Sequence, residues 1–103
     1  MRIEVVGEGT ISQQARTYAE YRVFAALTQF WEADRIQRVR VLLRQVKLGR
    51  DCESIACTVT VSLDGSDLFR IRTTGPHAYA AINRAVERIR TNAATGIVDR
   101  VSV

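Results

Sequence analysis

The stretch GPHAYAAINRAVERIR, residues 75–90, decides the fold, because its apolar residues recur at spacings of three and four. That period places one stripe on a single side of a helix: Tyr79, Ile82, Val86, Ile89 and Ala93. Small residues flank the stripe and would let the helix lie close to a sheet: Ala78, Ala81 and Ala85. Pro76 suits the first helical position, where its missing N–H costs nothing. The stretch therefore predicts an amphipathic helix packed on a sheet.

Upstream of this helix, the sequence alternates apolar and polar residues with the period of two that is typical of β-strands. The alternating segments are residues 2–6, 36–47, 55–63 and 68–73. Gly7 and Gly9 are expected to end the first strand. Turns are expected at residues 49–51 and 64–67, where Asp64-Gly65 is a hairpin signal.

A second helix is predicted between the first two strands, over residues 13–31, with Ser12 as its N-cap. Its expected apolar stripe is Ala15, Ala19, Val23, Ala26, Leu27 and Phe30, widened by Tyr18 and Phe24. Each strand has one apolar face, so both helices should cover the same side of the sheet. The crossover through a helix favours a parallel first pair of strands. The sequence thus predicts an α+β fold: a two-layer β-α-β-β-β-α sandwich with a four-stranded, mostly antiparallel sheet.

The period also predicts the buried residues and the extent of the domain. The expected core is Val39, Val41, Ile55, Cys57, Val59, Val61, Phe69, Ile71, Ile82, Val86 and Ile89. We expect one domain over residues 1–96, followed by a tail over residues 97–103 that is rich in β-branched residues. That tail could form an extra edge strand, pair with a second copy in a homodimer, or fray. No signal peptide or membrane-spanning run is recognised, so a cytoplasmic protein without a membrane partner is expected.

The charge of the chain suggests a polyanionic partner. The net charge is +4, the pI is about 9.7, and Lys47 is the single lysine among fifteen basic residues. Arginine presents a planar fork that fits phosphate, which is compatible with nucleic-acid binding. A GC-rich genome would also favour arginine codons, although it would not explain the positive net charge.

Two arginine surfaces are predicted. The uncovered face of the sheet should carry Arg38, Arg40, Arg44, Arg70 and Arg72, with Thr58, Thr60 and Ser62 between them. The outer side of the last helix should carry Arg84, Arg88 and Arg90, with Glu87 among them. Either surface could hold a phosphate backbone. Either could instead be an ordinary solvated surface, with Arg84 and Glu87 paired at helical spacing.

The sequence offers no constellation for catalysis or for a cofactor. His77 is the only histidine and has no nucleophile or carboxylate motif beside it. Cys52 and Cys57 are five residues apart, which is not a zinc or redox spacing. We expect no enzyme activity, no metal and no cofactor. Most of the aromatic residues fall on or beside the core stripes, which argues against sequence-specific recognition of single strands and leaves backbone or shape recognition open.

Three segments resemble the bacterial ribosome hibernation-promoting factors, also called sigma-54 modulation proteins or ribosome-associated inhibitor A. The first is Tyr79-Ala80-Ala81-Ile82 followed by Glu87-Arg88-Ile89, which is similar to the last helix of that family. The others are Arg2-Ile3-Glu4-Val5-Val6-Gly7 and Ile11-Ser12 with Ala15-Arg16, which are similar to its first strand and the start of its first helix. The resemblance covers roughly residues 1–93.

The resemblance implies a double-stranded-RNA-binding-domain-like fold and a stress factor that binds small-subunit ribosomal RNA and blocks translation. Arg22 and Arg88 stand where family members have lysine, so the resemblance adds Arg22 to the candidate RNA contacts. Thr91 replaces a usual arginine, and the lysine-rich continuation of the helix is absent. These departures keep an alternative open, namely a non-catalytic protein-interaction module that kept the fold and no longer binds ribosomes.

Overall fold

The computed structural model describes residues 1–47, 53–63 and 66–94. Its elements are β1 (Arg2–Glu8), α1 (Gln13–Phe30), a 3-10 turn (Ala33–Arg35), β2 (Ile36–Lys47), β3 (Glu53–Leu63), β4 (Ser66–Gly75) and α2 (Ala78–Ala94). The predicted order of elements is confirmed. The predicted turn at 49–51, Cys52, the Asp64-Gly65 hairpin signal and the tail over 97–103 lie outside the described residues.

The sheet has the order β1-β2-β3-β4, with β1 parallel to β2 and the other neighbours antiparallel. Helix α1 lies over β1 and β2, α2 lies over β3 and β4, and the two helices contact each other. The predicted sandwich is therefore confirmed. The opposite face of the sheet, which we call the open face, is left without a helix among the described residues.

The core lies between the sheet and the helices. Ten of the eleven residues predicted to be buried are buried, and together with Leu27, Leu43, Ala81 and Ala85 they belong to one cluster. The exception is Ile55, which is half-buried and packs against that cluster. Ile55 pairs with Gln45 and Gly75 near one end of the sheet, where fewer side chains can cover it.

Helix α1 begins as predicted, because the Ser12 side chain accepts a hydrogen bond from the Ala15 N–H at 3.1 Å. It ends at Phe30 rather than Trp31. The apolar stripe is narrower than predicted, since Phe24 and Phe30 are exposed. Trp31 and Phe69 lie with their rings 5.8 Å apart, so Trp31 and not Phe30 covers this end of the sheet.

Helix α2 begins two residues later than predicted. His77, and not Pro76, stands at the boundary: its Nδ1 accepts a hydrogen bond from the Ala80 N–H at 3.2 Å, and its carbonyl accepts from Ala81. The prediction for Tyr79 was also wrong, because this residue is exposed. Ala81 and Ala85 are buried and lie at the centre of the helix face that packs on the sheet, whereas the period had placed the stripe that includes Tyr79 there.

Strand β1 is longer than predicted and runs through Gly7 to Glu8. Gly9 follows the strand with φ +83°, a conformation that residues with a Cβ rarely adopt. Only the second of the two glycines therefore marks the end of the strand.

Candidate nucleic-acid interface

The register of the strands brings the predicted sheet arginines together. Arg40 lies opposite Thr60, and Thr60 lies opposite Arg70, in one row across the open face. The next row contains Leu42, Thr58 and Arg72. These rows line a shallow depression, the open-face depression, formed by Arg38, Arg40, Leu42, Thr58, Thr60, Ser62, Arg70 and Arg72. The structure thus places four of the predicted site residues around a floor that contains hydroxyl groups.

Two carboxylates on β1 partly balance these cations. Glu4 lies 3.9 Å from Arg40, and Glu8 lies 3.4 Å from Arg44, measured between side-chain oxygen and nitrogen. All four side chains are more than 40% exposed, so each pair contributes little to stability. The predicted first strand included Glu4 but not Glu8, because it was expected to end at residue 6.

Three further arginines of the open face keep their charge available to a ligand. Among the described residues, Arg38, Arg70 and Arg72 have no ion pair, and all three are exposed. They lie on β2 and on β4, the two strands on either side of β3. Arg70 and Arg72 lie on β4, the strand farthest from β1, so the carboxylates of β1 do not balance their charge.

A second depression, the edge depression, lies where β4 meets α2. It is lined by Arg72, Thr73, Thr74, Asn83, Arg84, Glu87 and Arg88. Two hydrogen bonds hold the helix on the strand here: Thr73 Oγ1 donates to the Ala81 carbonyl at 2.7 Å, and Arg84 donates to the Thr74 carbonyl at 2.6 Å. Arg72 lines both depressions, so the sheet arginines and the helix arginines form one continuous surface around the edge strand.

The ion pairing on α2 differs from the prediction. Glu87 lies 3.5 Å from Arg90 and not against Arg84, whose guanidinium instead reaches the carbonyl of Thr74. Among the described strands, β4 has no neighbour on its outer side, and its Thr74 carbonyl gives Arg84 a fixed acceptor.

Three other predicted arginines lie apart from this surface, and one of them is Arg44, the β2 partner of Glu8. Arg22 on α1 and Arg90 on α2 are half-buried, and neither lines the open-face or the edge depression. The Nε atom of each is buried and has no hydrogen-bond partner among the described residues. The structure therefore joins Arg38, Arg40, Arg70, Arg72, Arg84 and Arg88 and leaves Arg22, Arg44 and Arg90 outside.

A third hollow, the tyrosine groove, was missed by the sequence analysis. It is lined by Gln13, Gln14, Thr17, Tyr18, Tyr21 and Tyr79. Tyr21 is 70% exposed and Tyr79 is 38% exposed, whereas the sequence placed Tyr79 on the stripe of the last helix and most aromatic residues on or beside the core. The helical period places Tyr21 off the stripe formed by Ala15, Ala19 and Val23, and that offset is the signal that could have revealed it.

The described residues hold no cluster of side chains suited to metal binding. No group of three His, Cys, Asp or Glu side chains is close enough to hold a metal ion in the part of the chain that the structure describes. The Nδ1 atom of His77 accepts a hydrogen bond from the Ala80 N–H at the start of α2. Burial raises the pKa of Cys57 to about 12, so its thiol is protonated and unreactive near neutral pH.

Comparison with known proteins identifies the family. Residues 3–93 match the family described as Sigma 54 modulation protein / S30EA ribosomal protein. No curated protein matches the chain. A solved structure described as a ribosomal subunit interface protein from Coxiella burnetii superposes with a TM-score of 0.69 at 18% identity, covering 93% of this chain and 97% of that one. At that identity the likeness shows the fold. No helix among the described residues is long and apolar enough to span a membrane.

Proposed function

The chain belongs to the Sigma 54 modulation protein / S30EA ribosomal protein family, and we propose that it binds small-subunit ribosomal RNA and thereby blocks translation. The family is one of ribosome-associated proteins, which agrees with the resemblance found in the sequence. The proposal adds the ligand, the residues that contact it and the consequence for the ribosome. A factor that acts on ribosomes in this way works in the cytoplasm.

The observation that carries this proposal is the position of Arg72. Because Arg72 lines both the open-face and the edge depression, the sheet and α2 offer phosphates one continuous path. We call it the arginine path, and it consists of Arg38, Arg70, Arg72, Arg84 and Arg88. Arg38, Arg70 and Arg72 would bind phosphate from the sheet, and Arg84 and Arg88 from the helix. The threonine hydroxyls between the sheet arginines can donate further hydrogen bonds to phosphate or to ribose.

The mechanism needs no chemical step. Arginine–phosphate contacts release counterions from the RNA and fix the protein in place, without sequence preference. A folded domain with extents of 41 × 26 × 22 Å would then exclude other ligands from the RNA surface that it covers. Inhibition would follow from occupancy, so it should track the bound fraction.

Cosedimentation with purified small subunits, at low and at severalfold higher salt, tests the proposal. We expect binding at low salt that falls by orders of magnitude as salt rises. Replacing Arg70 and Arg72 by Ala should weaken binding and flatten the log–log salt slope by roughly 1.4 to 1.8, the range expected for two lost phosphate contacts. The double variant of Arg35 and Lys47, both exposed and outside the two depressions, removes the same charge and should change the slope less.

The competing hypothesis is the protein-interaction module. If the parent protein does not cosediment with small subunits at low salt, the RNA proposal fails and the interaction module takes its place. If both double variants lose affinity equally, net charge alone accounts for binding, and the arginine path is wrong.

A further inference from the structure

Two aromatic rings of the tyrosine groove, those of Tyr21 and Tyr79, are exposed at the surface. Tyr21 is 70% exposed on α1, and Tyr79 at the start of α2 packs edge-on against Tyr18, with ring centroids 5.0 Å apart. Rings held at such angles present flat surfaces to a ligand while their own positions are restricted. Ordinary core packing does not account for Tyr21.

The groove is continuous with the arginine path. Tyr18 lines the groove, and its hydroxyl donates a hydrogen bond of 2.6 Å to Asn83 Oδ1. Asn83 in turn lines the edge depression beside Arg84 and Arg88. One polar contact therefore separates the aromatic surface from the cations proposed to bind phosphate.

The chemistry of the lining distinguishes the two regions. None of the residues that line the tyrosine groove is charged, so the groove offers phosphate no cation. It offers ring faces together with the side-chain amides of Gln13 and Gln14 and the hydroxyl of Thr17. Ring faces stack on nucleobases, and amides and hydroxyls can hydrogen-bond to base edges. The open face has the reverse character, since its depression contains arginine and hydroxyl groups but no aromatic ring.

We propose that the tyrosine groove stacks an unpaired base of the RNA whose backbone lies along the edge depression. This inference rests on the proposed function and narrows it to RNA with at least one unstacked nucleotide. A duplex keeps its bases stacked inside and could use only the arginines. The ligand is accordingly a single-stranded segment, a loop or a junction, rather than a continuous helix.

The test compares three RNAs on the full chain: a single-stranded oligonucleotide, the same oligonucleotide with abasic sites, and a duplex of equal length. Fluorescence anisotropy gives affinity, and a 2-aminopurine base reports stacking directly. Tyr21→Ala should weaken binding of the intact single strand by about five- to 150-fold, the range for losing one base–aromatic stack. The same variant should leave the abasic strand, the duplex and the salt slope unchanged.

Matched variants separate stacking from other effects. Tyr21→Trp should retain affinity and the quenching of 2-aminopurine, whereas Tyr21→Leu should lose both, although it keeps an apolar side chain. Phe30→Ala removes an aromatic ring of α1 that lines neither groove nor depression, and it should have no effect. Circular dichroism should confirm that each variant is folded.

Three results would overturn the inference alone, and a fourth would also overturn the proposed function. If Tyr21→Ala weakens the intact and the abasic strand equally, or if Tyr21→Leu binds like the parent, the ring does not stack on a base. If the parent binds all three RNAs with a steep salt slope and no Tyr21 variant matters, the stacking site is wrong while the proposed function stands. If the parent binds no RNA at all, the proposed function fails as well, and an exposed aromatic groove would then fit a protein partner.

Discussion

At the scale of single residues, Cys57 has a pKa that links stability to pH. Burial raises it from 9.0 to about 12, because the core does not solvate a thiolate. The contribution of this pKa shift to stability is complete below pH 9.0, where the Cys57 thiol is neutral in both the folded and the unfolded state. Above pH 9.0 the unfolded thiol ionises while the folded one keeps its proton, so the free energy of unfolding falls as pH rises towards 12.

We therefore predict that the parent loses stability relative to Cys57→Val over this window, by up to about 1.4 kcal/mol per pH unit. Urea unfolding of both proteins between pH 8 and pH 11 measures the difference and cancels the other groups that titrate there. A constant difference across the window would show that Cys57 ionises in the folded state as readily as in the unfolded one.

Gly75 is the second residue with a specific role, at the junction of β4 and α2. A Cβ at this position would lie 2.7 Å from the Ala81 nitrogen and 2.9 Å from the Ala80 Cβ. Because the nearest obstacle is backbone, a side-chain rotation cannot relieve the contact, and the start of α2 must shift.

Gly75→Ala should lower the free energy of unfolding by about 1–3 kcal/mol, the usual cost of overpacking. Urea denaturation measures this loss. Arg70→Ala on the same strand is exposed and should change stability by no more than about 0.5 kcal/mol. Equal stability of Gly75→Ala and the parent would mean that the junction is looser than the distances indicate.

Residue-level detail was also where the sequence predicted least. Its period placed Arg38 and Arg70 on the open face correctly, because strand parity is local. It could not tell that Arg84 bonds to the Thr74 carbonyl rather than pairing with Glu87, since that choice depends on which strand edge α2 covers. Tyr79 was misplaced for a related reason: contact with the sheet uses Ala81 and Ala85, and this rotates the tyrosine outwards.

At the scale of secondary-structure elements, α2 shows that the burial of a side chain, and not its place in the apolar period, determines how much it contributes to the free energy of unfolding. Ile82 and Tyr79 belong to the same predicted stripe, yet Ile82 is fully buried and Tyr79 is 38% exposed. Ile82→Ala should cost about 2–5 kcal/mol, as buried aliphatic deletions do.

Tyr79→Ala serves as the matched case and should cost clearly less than Ile82→Ala, because little of the core would be opened. Thermal or urea unfolding of the two variants gives the comparison. A larger loss for Tyr79→Ala than for Ile82→Ala would place the centre of the helix contact at its first turn instead.

The elements themselves were largely predictable, and their ends were not. Clean alternation identified β2 and β3 because each strand has one covered and one open face. Gly7 looked like a strand end but lies within β1, because a glycine can continue an edge strand when its neighbours pair. Pro76 looked like a helix start, but the cap is made by His77, whose side-chain nitrogen substitutes for the usual hydroxyl or carboxylate.

At the scale of the whole molecule, the sequence could not predict that the two arginine surfaces meet at the β4 edge. Each arginine surface was predicted separately, and their meeting at Arg72 follows only from the strand order and from the packing of α2 beside β4. The edge strand or homodimer contact over residues 97–103 stays a prediction, as do the RNA contacts.

Whether one RNA follows the whole arginine path is the last prediction. A backbone that contacts both surfaces should respond to charge removal on each. The paired replacement of Arg38 and Arg70 by Ala, and that of Arg84 and Arg88, should each flatten the salt slope by roughly 1.4 to 1.8, and the quadruple variant should flatten it by their sum. The reason is that each neutralised phosphate releases its own counterions, whichever surface holds it.

Small-subunit binding over a series of salt concentrations measures the four slopes, with the Arg35 and Lys47 double variant as the control for net charge. If one pair changes the slope and the other leaves it unaltered, the RNA lies on a single surface, and Arg72 binds only from that side. If the quadruple variant loses no more than the stronger pair, the two surfaces compete for one phosphate group rather than forming a path.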